Sequence, residues 1–153
     1  MEVGITPVLE VEYPELAEVW EASVRATHRF LKPGDLEFYR SRLNGYLSAV
    51  RLTAARDDTG HITAFLGTCD GNIEMLFVHP DYRGRGIGRC LVDYAVAELG
   101  CNRVDVNEQN GLAVGFYQRM GFTRIGRSDF DSEGRPYPIL HFGLRRIVCD
   151  DAD

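Results

Sequence analysis

The sequence predicts an α/β fold in which helices flank a mixed, mostly antiparallel central sheet. Apolar residues recur at three-and-four spacing in residues 14 to 28, which is the pattern of an amphipathic helix. Short runs with β-branched residues, separated by turn residues, follow in residues 51 to 78 and indicate an antiparallel meander. A strand, a glycine-rich turn, a helix and another strand then succeed one another in residues 73 to 107, which is the order of a crossover unit.

The first two elements are predicted helices. Pro14 begins the first one, and His28 stands at its end. Its apolar side carries Leu16, Val19, Trp20, Ser23, Val24 and Thr27. The second helix follows Gly34, and Gly45 weakens its last turn. Its apolar side carries Leu36, Tyr39, Leu43 and Leu47.

Three strands are predicted next, from the runs RLTAAR, ITAFLGTC and NIEMLFV. The last two are separated by Asp70 and Gly71, and Asp-Gly is a strong signal for a tight hairpin turn. From Ile73 to Val78 every residue except Glu74 is apolar, so we expect a central strand that is covered on both faces. Glu74 is then a carboxylate on an apolar strand, and we expect burial to raise its pKa.

The second half of the chain continues with alternating elements. A helix in RCLVDYAVAELG ends at Gly100, NRVDVN reads as a strand, and GLAVGFYQRMGF reads as another helix. The closing strand is RPYPILHFGL, and its prolines, Pro136 and Pro138, suggest a sheet edge. We expect residues 1 to 153 to form a single domain, with the acidic tail at 149 to 153 left unpacked.

Composition narrows the classes of function. A net charge of −6 and a pI of about 5.2 argue against a nucleic-acid partner, because binding to a polyanion needs excess lysine and arginine. No apolar run reaches the roughly 20 residues of a membrane helix, and the acidic N-terminus is unlike a signal peptide, so we expect a cytoplasmic protein without a membrane partner. The four cysteines are Cys69, Cys90, Cys101 and Cys149. They lack CxxC spacing and a nearby histidine partner, which favours reduced packing thiols over a disulfide framework or a metal site. The oligomeric state is left open between monomer and homodimer.

The segment DYRGRGIGRC, residues 81 to 90, places glycine and arginine between a predicted strand and a predicted helix. Such a turn exposes unpaired backbone N–H groups at the positive end of the helix dipole, where phosphate binds. It offers Gly84, Gly86 and Gly88 for close approach of the backbone, and Arg83, Arg85 and Arg89 for charge-assisted hydrogen bonds. The spacing fits neither a P-loop nor a dinucleotide fingerprint. The alternative is a tight turn with solvated arginines.

The pattern Arg83-x-x-Gly86-x-Gly88 after a strand resembles the acyl-CoA signature of the GNAT superfamily of N-acetyltransferases. A second block, VNEQNGLAVGFYQRMGF, resembles the family's Asn-xx-Ala-xxx-Tyr followed by Gly-Phe. Its matching residues are Asn110, Ala113, Tyr117, Gly121 and Phe122. The stretches ATHRFL and DSEGRPYPILH further resemble a small bacterial branch, the YjaB-type acetyltransferases.

The resemblance implies a transfer of acetyl from acetyl-CoA to a primary amine of a small molecule or a peptide, by direct attack in a ternary complex without a metal. It implies that two strands splay apart to admit acyl-CoA, and that pantetheine pairs with main-chain groups near Phe77 and Val78. The pyrophosphate is expected on residues 83 to 89, which include Ile87, and Asn110 is expected to bond to the cofactor.

Three residues are candidates for the chemistry. The resemblance places Tyr117 near the sulfur of the cofactor, and a core aromatic residue is the alternative reading. An alkyl ammonium has a pKa of about 10.4, so a base is required, and Glu74 is the first candidate, directly or through water. His28 is the rival base at the border of the acceptor site, although packed or capping histidines are common there. A non-catalytic acyl-CoA-binding regulatory module and an O-acyltransferase are the alternative functions.

Overall fold

A computed structural model describes residues 4 to 144 of the chain. The chain forms two compact units, Met1–Cys101 and Asn102–Asp153, and each is described by itself below. The acidic tail at 149 to 153 lies outside the described residues. The single domain expected from the chain length stays a prediction.

The first unit contains a four-stranded antiparallel meander in the order β1-β2-β3-β4. The strands are β1 (Gly4–Pro7), β2 (Arg51–Arg56), β3 (Ile62–Cys69) and β4 (Asn72–Val78). The predicted meander of the last three is confirmed, and β1 is an addition that the sequence analysis missed.

β3 is the strand that is buried on both faces. The prediction that β4 is buried on both faces is wrong. Every residue of β3 from Ile62 to Thr68 is buried, whereas β4 is half-buried from Met75 onward and Glu74 is exposed. The apolar run from Ile73 to Val78 therefore predicts the strand correctly, but it does not predict how deeply the strand is buried.

Three helices accompany this meander: α1 (Tyr13–Thr27), α2 (Pro33–Ser48) and α3 (Ile87–Leu99). The apolar side predicted for α1 is buried as far as Val24, and α2 begins at Pro33 and buries Leu43 and Leu47. The core of the unit contains Leu16, Val19, Trp20, Val24, Leu43, Leu47, Ala54, Ile62 and Phe65. The predicted elements α1, α2, β2 and β3 thus share one core.

Up to residue 144, where the described part of the chain ends, the second unit contains three strands and one helix. They are β5 (Arg103–Asn107), α4 (Gly111–Arg119), β6 (Phe122–Ser128) and β7 (Ile139–Leu144). β7 pairs antiparallel with β5 on one side and with β6 on the other, so the prediction that it is an edge strand is wrong. Pro136 and Pro138 precede the strand, and its own residues keep their N–H groups for pairing.

One face of this three-stranded sheet is apolar and the other is polar. Val104, Val106, Leu140 and Phe142 are buried, while the residues that alternate with them are exposed or half-buried. Between residues 4 and 144 no helix has the length and apolar character needed to cross a membrane.

The described cysteines are free thiols with different surroundings. Cys101 is buried, Cys90 is half-buried and Cys69 is exposed. The prediction of packing thiols is therefore correct for Cys101 and wrong for Cys69, which stands at the end of β3. Cys149 lies outside the described residues.

Candidate functional site

The glycine-rich turn leads from β4 into α3, where the sequence predicts it. Gly84 and Gly86 adopt left-handed φ angles of 76° and 79°, which glycine reaches without the steric cost of a side chain. A Cβ atom built on either glycine would meet no other atom within 4 Å, so the space beside this backbone is open to a ligand. Gly86 is the N-cap of α3 and has no side-chain oxygen for the first N–H groups of the helix. These N–H groups are available to an anion.

The cationic side chains of this turn are exposed: Arg83, Arg85 and Arg89. The guanidinium of Arg85 lies over the ring of Tyr82, 5.0 Å from its centroid. His79 shapes the start of the turn, because its Nδ1 accepts a hydrogen bond from the N–H of Asp81 at 3.1 Å and its own N–H donates to Thr63 of β3 at 2.9 Å. The turn is thus anchored at one end by a residue that the sequence analysis did not single out.

Glu74 occupies an irregular position on β4. The register pairs Ile73 with Thr68 and Met75 with Gly67, so Glu74 is the extra residue of a β-bulge. Its carboxylate is exposed and accepts a hydrogen bond from Nδ2 of Asn72 at 2.8 Å. The burial that the sequence analysis expected for Glu74 is therefore absent.

Gly67, opposite the bulge, has a clear packing reason to be glycine. A Cβ atom there would lie 2.8 Å from Cγ2 of Val50 and 3.3 Å from Cβ of Met75. Since real Cβ atoms do not approach other atoms so closely, a side chain at this position would disturb the strand pair that carries Glu74. No local pattern in the sequence signals this constraint.

His28 is the C-cap residue of α1, and burial lowers the pKa of its imidazole to about 4. The hydroxyl of Thr27 lies 2.7 Å from Nδ1 of His28 and donates its single proton to the carbonyl of Ser23 at 2.8 Å. Nδ1–H is therefore the donor to Thr27, and the lone pair of the neutral ring is on Nε2. The ring packs 5.2 Å from Phe30 and 6.5 Å from Phe77, measured between centroids.

A cavity of about 300 Å³ adjoins His28 between α1 and α2. Apolar and charged side chains share its lining, which consists of Val24, Arg25, His28, Arg29, Leu31, Pro33, Leu36 and Glu37. The structure thus brings His28 next to Phe77 of β4 and to an open cavity. Phe77 and Val78 pair with Phe65 and Ala64 of β3.

Asn110 and Tyr117 belong to the second unit and share α4. Asn110 is the N-cap of this helix, and its Oδ1 accepts a hydrogen bond from the N–H of Ala113 at 3.2 Å. The amide Nδ2 takes no part in this capping contact and is a donor that can reach the cofactor, to which the resemblance implies that Asn110 bonds.

Tyr117 is only 5% exposed, and burial raises the pKa of its phenol above the ordinary value of 10. Its ring contacts Phe116 and Phe122 edge-on, with centroids 5.0 Å and 5.6 Å away. Tyr117 is thus a packed aromatic residue whose hydroxyl keeps its proton at neutral pH. Both readings of the sequence, core residue and proton donor, are compatible with this environment.

Comparison with known proteins identifies the class to which this fold and site belong. Residues 48–124 match the model of the acetyltransferase (GNAT) domain. The chain therefore belongs to the GNAT acetyltransferase family and is an N-acetyltransferase by class, which confirms the predicted family and fold class.

The relatives of this chain include the peptidyl-lysine N-acetyltransferases called YjaB. The proteins of Salmonella typhimurium and Escherichia coli are each 36% identical to this chain over 141 residues, which cover 92% of it and 97% and 96% of those proteins. The solution structure of apo-form YjaB from Escherichia coli has a TM-score of 0.82 at 35% identity and covers 94% of this chain and 98% of that one. The predicted likeness to a YjaB-type branch is confirmed.

A more distant structure shares the fold. The crystal structure of PaiA N-acetyltransferase from Thermoplasma acidophilum, in complex with coenzyme A, has a TM-score of 0.70 at 19% identity. It covers 94% of this chain and 100% of that one.

Proposed function

We propose that this chain transfers the acetyl group of acetyl-CoA to the side-chain amine of a lysine in a peptide or protein. The observation that carries the proposal is the open glycine turn at the start of α3, which offers backbone donors and guanidinium groups to an anionic ligand. The relatives named peptidyl-lysine N-acetyltransferases support lysine as the acceptor. The free thiols of the described residues support a reducing compartment, the cytoplasm, as its place of action.

Acetyl-CoA is bound as a substrate. Its pyrophosphate lies on the turn from residue 83 to residue 89, where N–H groups of Ile87, Gly88 and Arg89 have no partner inside the helix. Arg83 and Arg85 add positive charge beside it. The pantetheine pairs with the main chain near Phe77 and Val78, and Nδ2 of Asn110 donates a hydrogen bond to the cofactor.

Glu74 is the base. The attacking amine must lose a proton because an alkyl ammonium with a pKa of about 10.4 is mostly charged at neutral pH. Exposure on a bulge and the hydrogen bond from Asn72 hold the carboxylate where it attracts the ammonium and accepts its proton, directly or through one water molecule. His28 is the poorer candidate, because its neutral ring offers no charge to attract a cation.

The free amine attacks the thioester carbonyl, and the tetrahedral intermediate then breaks the bond to sulfur. The departing thiolate has a thiol pKa of about 8.5 and gains from a proton at neutral pH. Tyr117 is the donor, since a phenol with an ordinary pKa of about 10 carries its proton at neutral pH. The products are an acetylated lysine and CoA with its thiol restored.

The test is release of CoA with blocked peptides that contain one internal lysine, compared with the same peptides containing arginine. We expect turnover with lysine only. Glu74→Gln should lower turnover at neutral pH, and the loss should shrink as pH rises because more substrate arrives deprotonated. Glu98→Gln, at an exposed carboxylate of α3, is the matched control.

Self-acetylation on lysine is limited to one site in this assay, because the chain has one lysine of its own, Lys32. Binding of acetyl-CoA without CoA release from any lysine peptide would favour a regulatory module. Transfer to serine peptides in preference to lysine peptides would favour an O-acyltransferase.

A further inference from the structure

A hydrogen-bonded chain of serine, histidine and aspartate crosses the three strands of the second unit. Oγ of Ser128 lies 2.7 Å from Nε2 of His141, and Nδ1 of the same ring lies 2.7 Å from Oδ1 of Asp105. Both distances are typical of strong hydrogen bonds. The acetyl transfer proposed above uses none of these three residues.

The register of the sheet brings the three side chains to one face. Asp105 of β5 is directly opposite His141 of β7, and His141 is opposite Gly126 of β6. Ser128 follows Gly126 by two residues and therefore points to the same face. A register shift between Arg124 and Gly126 sets this alignment.

Gly126 leaves room for the imidazole to reach Ser128. A Cβ atom at this glycine would already be in contact with the ring, 3.6 Å from Cδ2 of His141. A larger side chain would displace the ring from its position between the serine and the aspartate. The side chains of His141 and Asp105 are 36% and 40% exposed, so a small molecule in solution reaches this face.

The hydrogen-bonding capacity of the groups fixes their roles. A carboxylate only accepts, so Nδ1–H of His141 donates to Asp105, and Nε2 carries the lone pair that faces the hydroxyl of Ser128. Nucleophile, base and orienting carboxylate stand in the order that activates a serine, and such a constellation is recognised by geometry rather than by order in the chain.

We propose that Ser128 is a nucleophile that takes an acyl group from a small activated ester, independently of acetyl-CoA. Oγ of Ser128 bonds to the ester carbonyl carbon while its proton passes to Nε2 of His141. The bond from that carbon to the alcohol oxygen breaks, and the leaving oxygen takes the proton from Nε2. The result is an O-acyl serine and a free alcohol, and water releases the carboxylic acid by the reverse order of proton transfers.

The experiment treats the full chain with p-nitrophenyl acetate in the absence of CoA, follows nitrophenolate release, and maps acetyl groups by peptide mass spectrometry. We expect an acetyl group on Ser128 and its loss in Ser128→Ala. His141→Gln should slow acetylation of Ser128 about 10²-fold, the usual contribution of a general base. Asp105→Asn keeps the size of the side chain and should slow acetylation of Ser128 by a smaller factor. This variant replaces His141→Gln as the test if His141→Gln fails to fold.

Ser132 is the matched control, because it is an exposed serine in the loop that follows β6. Acetyl groups on Ser132 or Lys32 but not on Ser128 would overturn the proposal. A folded His141→Gln or Asp105→Asn variant that labels Ser128 at the rate of the natural chain would overturn it as well. Because no CoA is present, the outcome does not depend on whether the chain acetylates lysine.

Discussion

Tyr117 has a core position and a proposed role in the chemistry. Its ring belongs to the core, and its hydroxyl group is the proposed proton donor. In Tyr117→Phe the ring still packs on Phe116 and Phe122, while the proton donor is lost. We expect acetyl-CoA affinity to remain and turnover to fall about 10²-fold. Because burial raises the pKa of the phenol, it stays protonated and the loss should be constant from about pH 7 to about pH 9.

Thermal stability, CoA affinity and turnover should be measured on one preparation of this variant. A stable, fully active Tyr117→Phe protein would mean that the proton comes from water. A variant that unfolds would mean that the hydroxyl supports the core.

His28 makes the stability of the chain depend on pH. Its pKa is about 4 in the folded chain against an ordinary value of 6.5, so the unfolded chain binds the extra proton first as pH falls. Stability should therefore be full above about pH 6.5 and decline toward pH 4, by up to about 3 kcal/mol for this group. His28→Gln should flatten this part of a curve of urea unfolding against pH. An unchanged curve would show that His28 titrates normally.

At the scale of elements, the turn into α3 depends on backbone conformation more than on any single charge. Gly86→Val should abolish most acetyl-CoA binding, because a β-branched side chain fills the open space and strains a residue at φ 79°. Arg85→Ala should weaken binding less, since Arg85 is exposed. Isothermal calorimetry measures both effects.

The matched control is Gly60→Val, because Gly60 lies in the turn between β2 and β3 with φ 90°, and a Cβ atom there would meet no atom within 4 Å. It should share the conformational strain and keep acetyl-CoA affinity. Equal losses in the Gly60 and Gly86 variants would mean that strain, rather than contact with phosphate, explains the result.

At the scale of the whole molecule, binding of acetyl-CoA should raise the melting temperature by mass action. A ligand at 100 times its dissociation constant raises the free energy of unfolding by about 2.7 kcal/mol. For a chain of this size, that increase corresponds to a rise of about 5–10 °C in melting temperature. ATP supplies phosphates without pantetheine and should raise the temperature less at the same concentration. Thermal scans in which ATP stabilises the chain more than acetyl-CoA would contradict the proposed ligand.

Much of the fold follows from signals that act over a few residues. The helical spacing in α1, the Asp70-Gly71 turn and the glycine at the start of α3 are local, so the elements beside them are predictable. β1 has only four residues, and β6 buries little beyond Phe122. β1 and β6 are strands because they pair with a neighbouring strand. The local sequence pattern does not show which segments will pair.

The sequence by itself determined the order of most elements and the two motif blocks, and with them the family and the turn proposed to hold acetyl-CoA. Only the tertiary structure decided that Glu74 stands exposed on a bulge and that burial lowers the pKa of His28. It also decided that Asp105 meets His141 across 36 positions of the chain. Burial, register and hydrogen-bond partners depend on residues brought together from distant parts of the chain, whereas periodicity, turn chemistry and motif spacing are properties of a short segment.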